Sequence, residues 1–84
     1  MRAATQFTGT VKAGTTSTWF THSWDPAEHV VWTVVPVTPG PGAAQIEWNM
    51  RTQRASATTI TYWIDVRNLS AADVEVEGRF VVLN

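Results

Sequence analysis

The chain has 84 residues, five tryptophans, no cysteine, and a formal charge of −1 from six basic and seven acidic side chains. That length is expected to make one domain, residues 1–84, with a thin core that would gain from self-association. The absence of cysteine excludes disulfides, thiolate metal sites and a cysteine nucleophile. The near-neutral charge, with Lys12 the sole lysine, leaves no basic surface to follow a phosphate backbone, so no nucleic-acid partner is expected.

Apolar residues recur with period two along most of the chain, and Thr and Val are abundant, so the pattern predicts strands and no convincing helix. Residues 5–12 place Phe7, Gly9 and Val11 on one face, with Gly9 marking a bulge or close packing against a large ring. A turn at Gly14 leads to residues 17–23, with Trp19 on one face and Phe20 and His22 on the other. Residues 24–28 read as a loop with Asp-Pro turn chemistry.

Residues 29–37 are apolar on both faces, which predicts a strand covered on both sides, the second cover being another subunit. Pro36 marks a strand end or an edge, and Pro39, Gly40, Pro41 and Gly42 make a stiff loop. In residues 45–53, Ile46, Trp48 and Met50 alternate with Glu47, Asn49 and Arg51. In residues 58–67, Ile60, Tyr62, Ile64 and Val66 face inward, while Thr59, Thr61, Trp63, Asp65 and Arg67 face outward. In residues 74–83, Val74, Val76, Gly78, Phe80 and Val82 are the inward set, and Glu75, Glu77 and Arg79 the outward one.

Six short antiparallel strands predict an all-β fold, a small β-sandwich or a flattened barrel. The stretch 62–69, YWIDVRNL, with the strand after it, resembles the closing hairpin of immunoglobulin-like bacterial domains. That resemblance implies that the last two strands pair with each other. It carries no function.

Several constellations bear on chemistry. A Ser23, His29, Asp25 arrangement lies within one turn, but no nucleophile motif accompanies it, and no enzyme is expected. His22, Asp25, Glu28 and His29 bracket the same turn without a metal-ligand spacing, so no metal and no cofactor are expected. On that reading Asp25 anchors a turn and Glu28 is solvated. Asn68, Leu69 and Ser70 fit a glycosylation acceptor, read here as a turn. Pro36 and Pro39 fit a PxxP spacing, read as a loop. Glu75 and Glu77 are expected to pair across strands with Arg51, Arg54 or Arg67.

Five tryptophans exceed what so small a core can hide, so some should lie at a working surface. Trp48 aligns with core positions, and Trp32, aligned with Val30 and Val34, is core or a buried interface. Trp24 is either a ligand platform or a lid over the core. Trp63 sits on a polar strand face between Thr61 and Asp65, with Arg67 beyond. The expected ligand set is therefore His22, Trp24, Asp25, His29, Trp63, Asp65 and Arg67. The expected function is a lectin-like module, presented on a homo-oligomer, that binds a carbohydrate or glycoconjugate. The alternative is a structural or assembly protein whose second apolar face, made of Val31, Val35, Val37 and Trp63, mediates self-association or binding of a partner protein. No apolar run is long enough to span a membrane as a helix. No signal peptide is visible at the N-terminus, which leaves the cytoplasm or a release route not encoded there.

Overall fold

The computed structural model describes residues 1–40 and 42–84. Six strands form: β1 Arg2–Val11, β2 Thr16–Trp24, β3 Val30–Pro36, β4 Ile46–Arg54, β5 Ile60–Asn68 and β6 Val74–Val82. They make two three-stranded antiparallel sheets, ordered β1-β6-β3 and β2-β5-β4. The described residues contain no helix. The fold is thus the expected sandwich, and its sheets keep free edges rather than closing into a barrel. The proline-glycine loop includes Pro41, which lies outside the described residues.

The alternation read from the sequence sets the inner faces. Val11, Trp32, Val34, Ile64, Val66, Val74, Val76 and Val82 are buried between the sheets, and Trp19, Trp48, Met50, Tyr62 and Phe80 pack against them. The β1–β2 connection is a tight turn. Gly14 adopts φ +68°, and the Thr15 N–H donates to Lys12 O at 3.1 Å. This is the left-handed third position of a type II turn, which glycine takes without steric cost.

Chain neighbours seldom pair. Among the described residues only β4 and β5 form a hairpin between consecutive strands. The resemblance of 62–69 to a closing hairpin is therefore corrected: β5 pairs with β2 and β4, while β6 crosses over to pair with β1 and β3. The crossover turns at Asn68, which is 1% exposed. Its amide donates to Val11 O at 2.9 Å and Ala72 O at 2.7 Å, and its Oδ1 accepts from the Ser70 N–H and hydroxyl. This residue is a buried structural joint, and its burial removes it as a glycosylation acceptor.

The charge pairs also follow the topology. Glu75 and Glu77 lie in the sheet opposite Arg51, Arg54 and Arg67, so the expected cross-strand pairs do not form. Instead Glu77 pairs with Arg79 at 2.6 Å, Arg51 with Asp65, and Arg67 with Glu47 at 3.8 Å. Glu28, expected to be solvated, is mostly covered and ion-paired to Arg2 at 2.7 Å. Burial, with the Glu28 charge adding to it, pushes the Tyr62 hydroxyl above its ordinary pKa.

Two bulges place aromatic side chains. In β1 the register with β6 shifts between Thr5 and Phe7, and in β2 the register with β5 shifts between Thr21 and Trp24. Simple alternation would put Trp24 on the face of Phe20 and His22. The extra residue in β2, with Ser23 at φ +67°, turns it to the inside instead. There Trp24 makes edge-to-face contacts with Trp32, Tyr62 and Phe80 at centroid distances of 5.6, 6.1 and 5.0 Å. Its indole N–H donates to Thr21 Oγ1 at 3.1 Å.

Candidate functional site

The outer face of the β2-β5-β4 sheet gathers the remaining aromatic and polar side chains. Backbone register aligns Phe20, Trp63 and Arg51 in one row across the three strands. The next row is Thr18, Asp65 and Asn49, and the one after it Thr16, Arg67 and Glu47. Phe20 is 65% exposed, an unusual position for a phenylalanine, and Trp63 beside it is half-buried. His22 lies two residues along β2 from Phe20 on the same face, with ring centroids 6.1 Å apart and planes tilted by 29°. The result is an aromatic strip flanked by hydrogen-bonding groups.

Asp65 organises the polar flank. Arg51 donates to it through Nε and Nη2, both at 2.9 Å. Thr18 donates at 2.6 Å and Asn49 at 3.4 Å. A carboxylate in this bidentate geometry holds the guanidinium in place and orders the row beside Trp63. The hydrogen bonds from Arg51, and then that from Thr18, hold the Asp65 carboxyl below the ordinary carboxylate range. The stabilisation from a carboxylate with a lowered pKa is complete above its unfolded value, near pH 4, and is lost as pH falls through the folded one. Asp65→Asn is therefore expected to flatten the acid limb of a melting-temperature profile below about pH 4. A slope remains in that variant, because Asp73 is lowered in the same direction by the Ala13 N–H and Lys12.

The seven expected ligand residues separate into groups. His22, Trp63, Asp65 and Arg67 share this outer face. Trp24 is only 9% exposed and belongs to the core. Asp25 sits in the loop after β2, where its Oδ1 accepts from the Ala27 N–H at 2.9 Å, the turn-anchoring role expected of it. It lines an open groove of about 640 Å³ with Ser23, Pro26, Arg54 and Thr58. His29 precedes β3 in the other sheet, and its backbone N–H is held by the Asn84 side chain at 2.9 Å. Ser23, His29 and Asp25 do not form a relay: the Ser23 hydroxyl lies 2.9 Å from His22 Nδ1, and Asp25 is engaged in its own turn. Among the described residues no three His, Asp or Glu side chains come together as a metal site.

Sequence reasoning missed Phe20, Thr18, Asn49 and Arg51 as members of this surface. The parity of β2 places Phe20 and His22 on one face. Only the β2–β5 register aligns that face with Trp63.

The fold and this surface define a small all-β sandwich with one aromatic–polar sheet face. No protein-family model, curated protein or solved structure matches the chain.

Proposed function

We propose that the chain is a non-catalytic binding module that takes a carbohydrate or glycoconjugate on the outer face of the β2-β5-β4 sheet. The observation that supports this most is the exposed Phe20 in register with Trp63. Aromatic faces stack against the C–H faces of a sugar ring, while neighbouring polar groups meet its hydroxyls. Asn49 Oδ1 and the Arg51 N–H groups not used by Asp65 supply an acceptor and donors beside the rings. A single shallow face binds weakly, and repetition on a homo-oligomer would raise avidity.

The test is a glycan-array screen of labelled protein, with competition by free sugar. Trp63→Ala and Phe20→Ala are each expected to lower affinity by about 30-fold, the size of an interface hot spot. Phe20→Ala should leave folding stability within about 0.5 kcal/mol, because its side chain is exposed. Silence across the array with folded protein would remove this reading.

A second reading, a structural or assembly protein, is favoured by the outer face of the other sheet. Val31 and Val37 there are 50% and 51% exposed. Trp63, grouped with these valines from the sequence, lies on the opposite side of the sandwich and belongs to the aromatic strip instead.

A further inference from the structure

The four sheet edges are not equivalent. Edge strands expose unpaired backbone donors and acceptors, and proteins guard them with charges, bulges, prolines or covering elements. The β1 edge carries a bulge at Gln6, whose side-chain amide donates to Thr21 Oγ1 of β2 at 3.2 Å. The β2 edge carries the bulge before Trp24. The β4 edge carries Glu47, Arg51 and Arg54. The β3 edge has none of these along its length: it reads Val30, Val31, Trp32, Thr33, Val34, Val35, with an unbroken register against β6 and a proline only at its last position.

The ladder shows which groups that edge presents. Val37 N–H donates to Glu75 O at 2.7 Å, and Leu83 N–H donates to His29 O at 2.9 Å. Odd-numbered positions therefore exchange bonds with β6, and Val30, Trp32, Val34 and Pro36 turn their backbone groups to the free side. Among the described residues nothing pairs with that side. Pro36, which has no N–H, stands on the outward set, where its missing donor breaks no internal bond.

The strand is also self-complementary. Reflected about Thr33, it sets Val31 against Val35, Trp32 against Val34, and Thr33 against itself, with no charge on either side. An isologous contact requires this property, since the same patch must fit its own copy.

We propose that β3 pairs antiparallel with β3 of a second copy about a two-fold axis at Thr33, joining two three-stranded sheets into one of six. Trp32 and Val34 exchange both backbone bonds across the axis, and Val30 N–H donates to the carbonyl of Pro36. The inference sharpens the assembly reading to one strand edge and one partner. It is independent of ligand binding, because both aromatic faces remain open in the dimer.

The test combines sedimentation velocity with amide hydrogen exchange at about 5 and about 500 µM, a span over which a weak dimer fills by mass action. The expected result is a species of twice the 9.3 kDa chain mass at the higher concentration. The amides of Trp32 and Val34 gain protection with concentration, while those of Val31, Thr33 and Val35 are protected throughout. Thr33→Lys, at an exposed position, sets two like charges across the axis and should return the protein to a folded monomer that still binds any array ligand. Trp63→Ala should leave the dimer intact. A protein that stays monomeric at the higher concentration overturns the pairing and removes self-association from the assembly reading. A dimer whose Trp32 and Val34 amides exchange freely overturns the edge pairing alone and leaves contact through the valine face as the assembly.

Discussion

Gly78→Ala is expected to destabilise the protein by about 3 kcal/mol, because a methyl group there must enter space that an aromatic ring occupies. Gly78 sits in the middle of β6, paired with Phe7 of β1 on one side and Val34 of β3 on the other. A Cβ built on it falls within the Phe7 ring. Phe7 has little freedom to withdraw. It stacks on Trp19 with centroids 4.7 Å apart and planes at 16°, and Trp19 in turn lies over Gly9, where an added Cβ would come 2.5 Å from Cζ2. Two glycines and two aromatic rings thus interlock across the sandwich, and an added methyl pushes the whole stack. Chemical denaturation should show a lower midpoint with an unchanged slope. Combining Gly78→Ala with Phe7→Leu should recover part of the loss, since the two sites share one volume. Additive losses in the double variant would show that the ring is not the obstacle.

Asn68→Ala is expected to cost a similar amount, about 3 kcal/mol, and to lower the melting temperature by roughly 15 °C. The reason is hydrogen bonding rather than volume. Removing the amide takes a donor from Val11 O and an acceptor from the Ser70 N–H, and leaves Ala72 O with the Ser70 hydroxyl as its side-chain partner. Each buried group left without a partner costs about 1–3 kcal/mol, and the Asn68 side chain is what ties the end of β1 to the β5–β6 turn. Ser70→Ala should cost less, near 1 kcal/mol, because the Asn68 contacts to Val11 and Ala72 survive it. Equal effects from the two variants would place the joint at Ser70 instead.

These two positions illustrate what could be read locally. Gly9 was legible as a site of close packing against a ring, because a glycine among alternating apolar residues has few other uses. Gly78 fell on the buried set by parity, yet its ring could not be named without the β1–β6 register. Asn68 fits a short surface motif by sequence, and its burial follows only from where β5 leaves its sheet for the other.

The candidate surface divides in the same way. The outward positions of β5, with Trp63, Asp65 and Arg67, follow from strict alternation. Trp24 could not be placed by alternation, because one extra residue in β2 reverses the face of everything after it. The partnership of Phe20 with Trp63 and of Arg51 with Asp65 likewise needs the strand order.

The sequence by itself determined that the chain is all-β, that it has six strands, and which side of β4, β5 and β6 turns inward. Those properties rest on the two-residue period of the extended backbone, which repeats within a few positions. Only the tertiary structure decided that β5 and β6 part into different sheets, that Trp24 turns into the core, and that Phe20 joins Trp63 on one face. Those outcomes come from hydrogen bonds and packing between residues far apart in the chain, and from a single-residue bulge that a periodic pattern does not register.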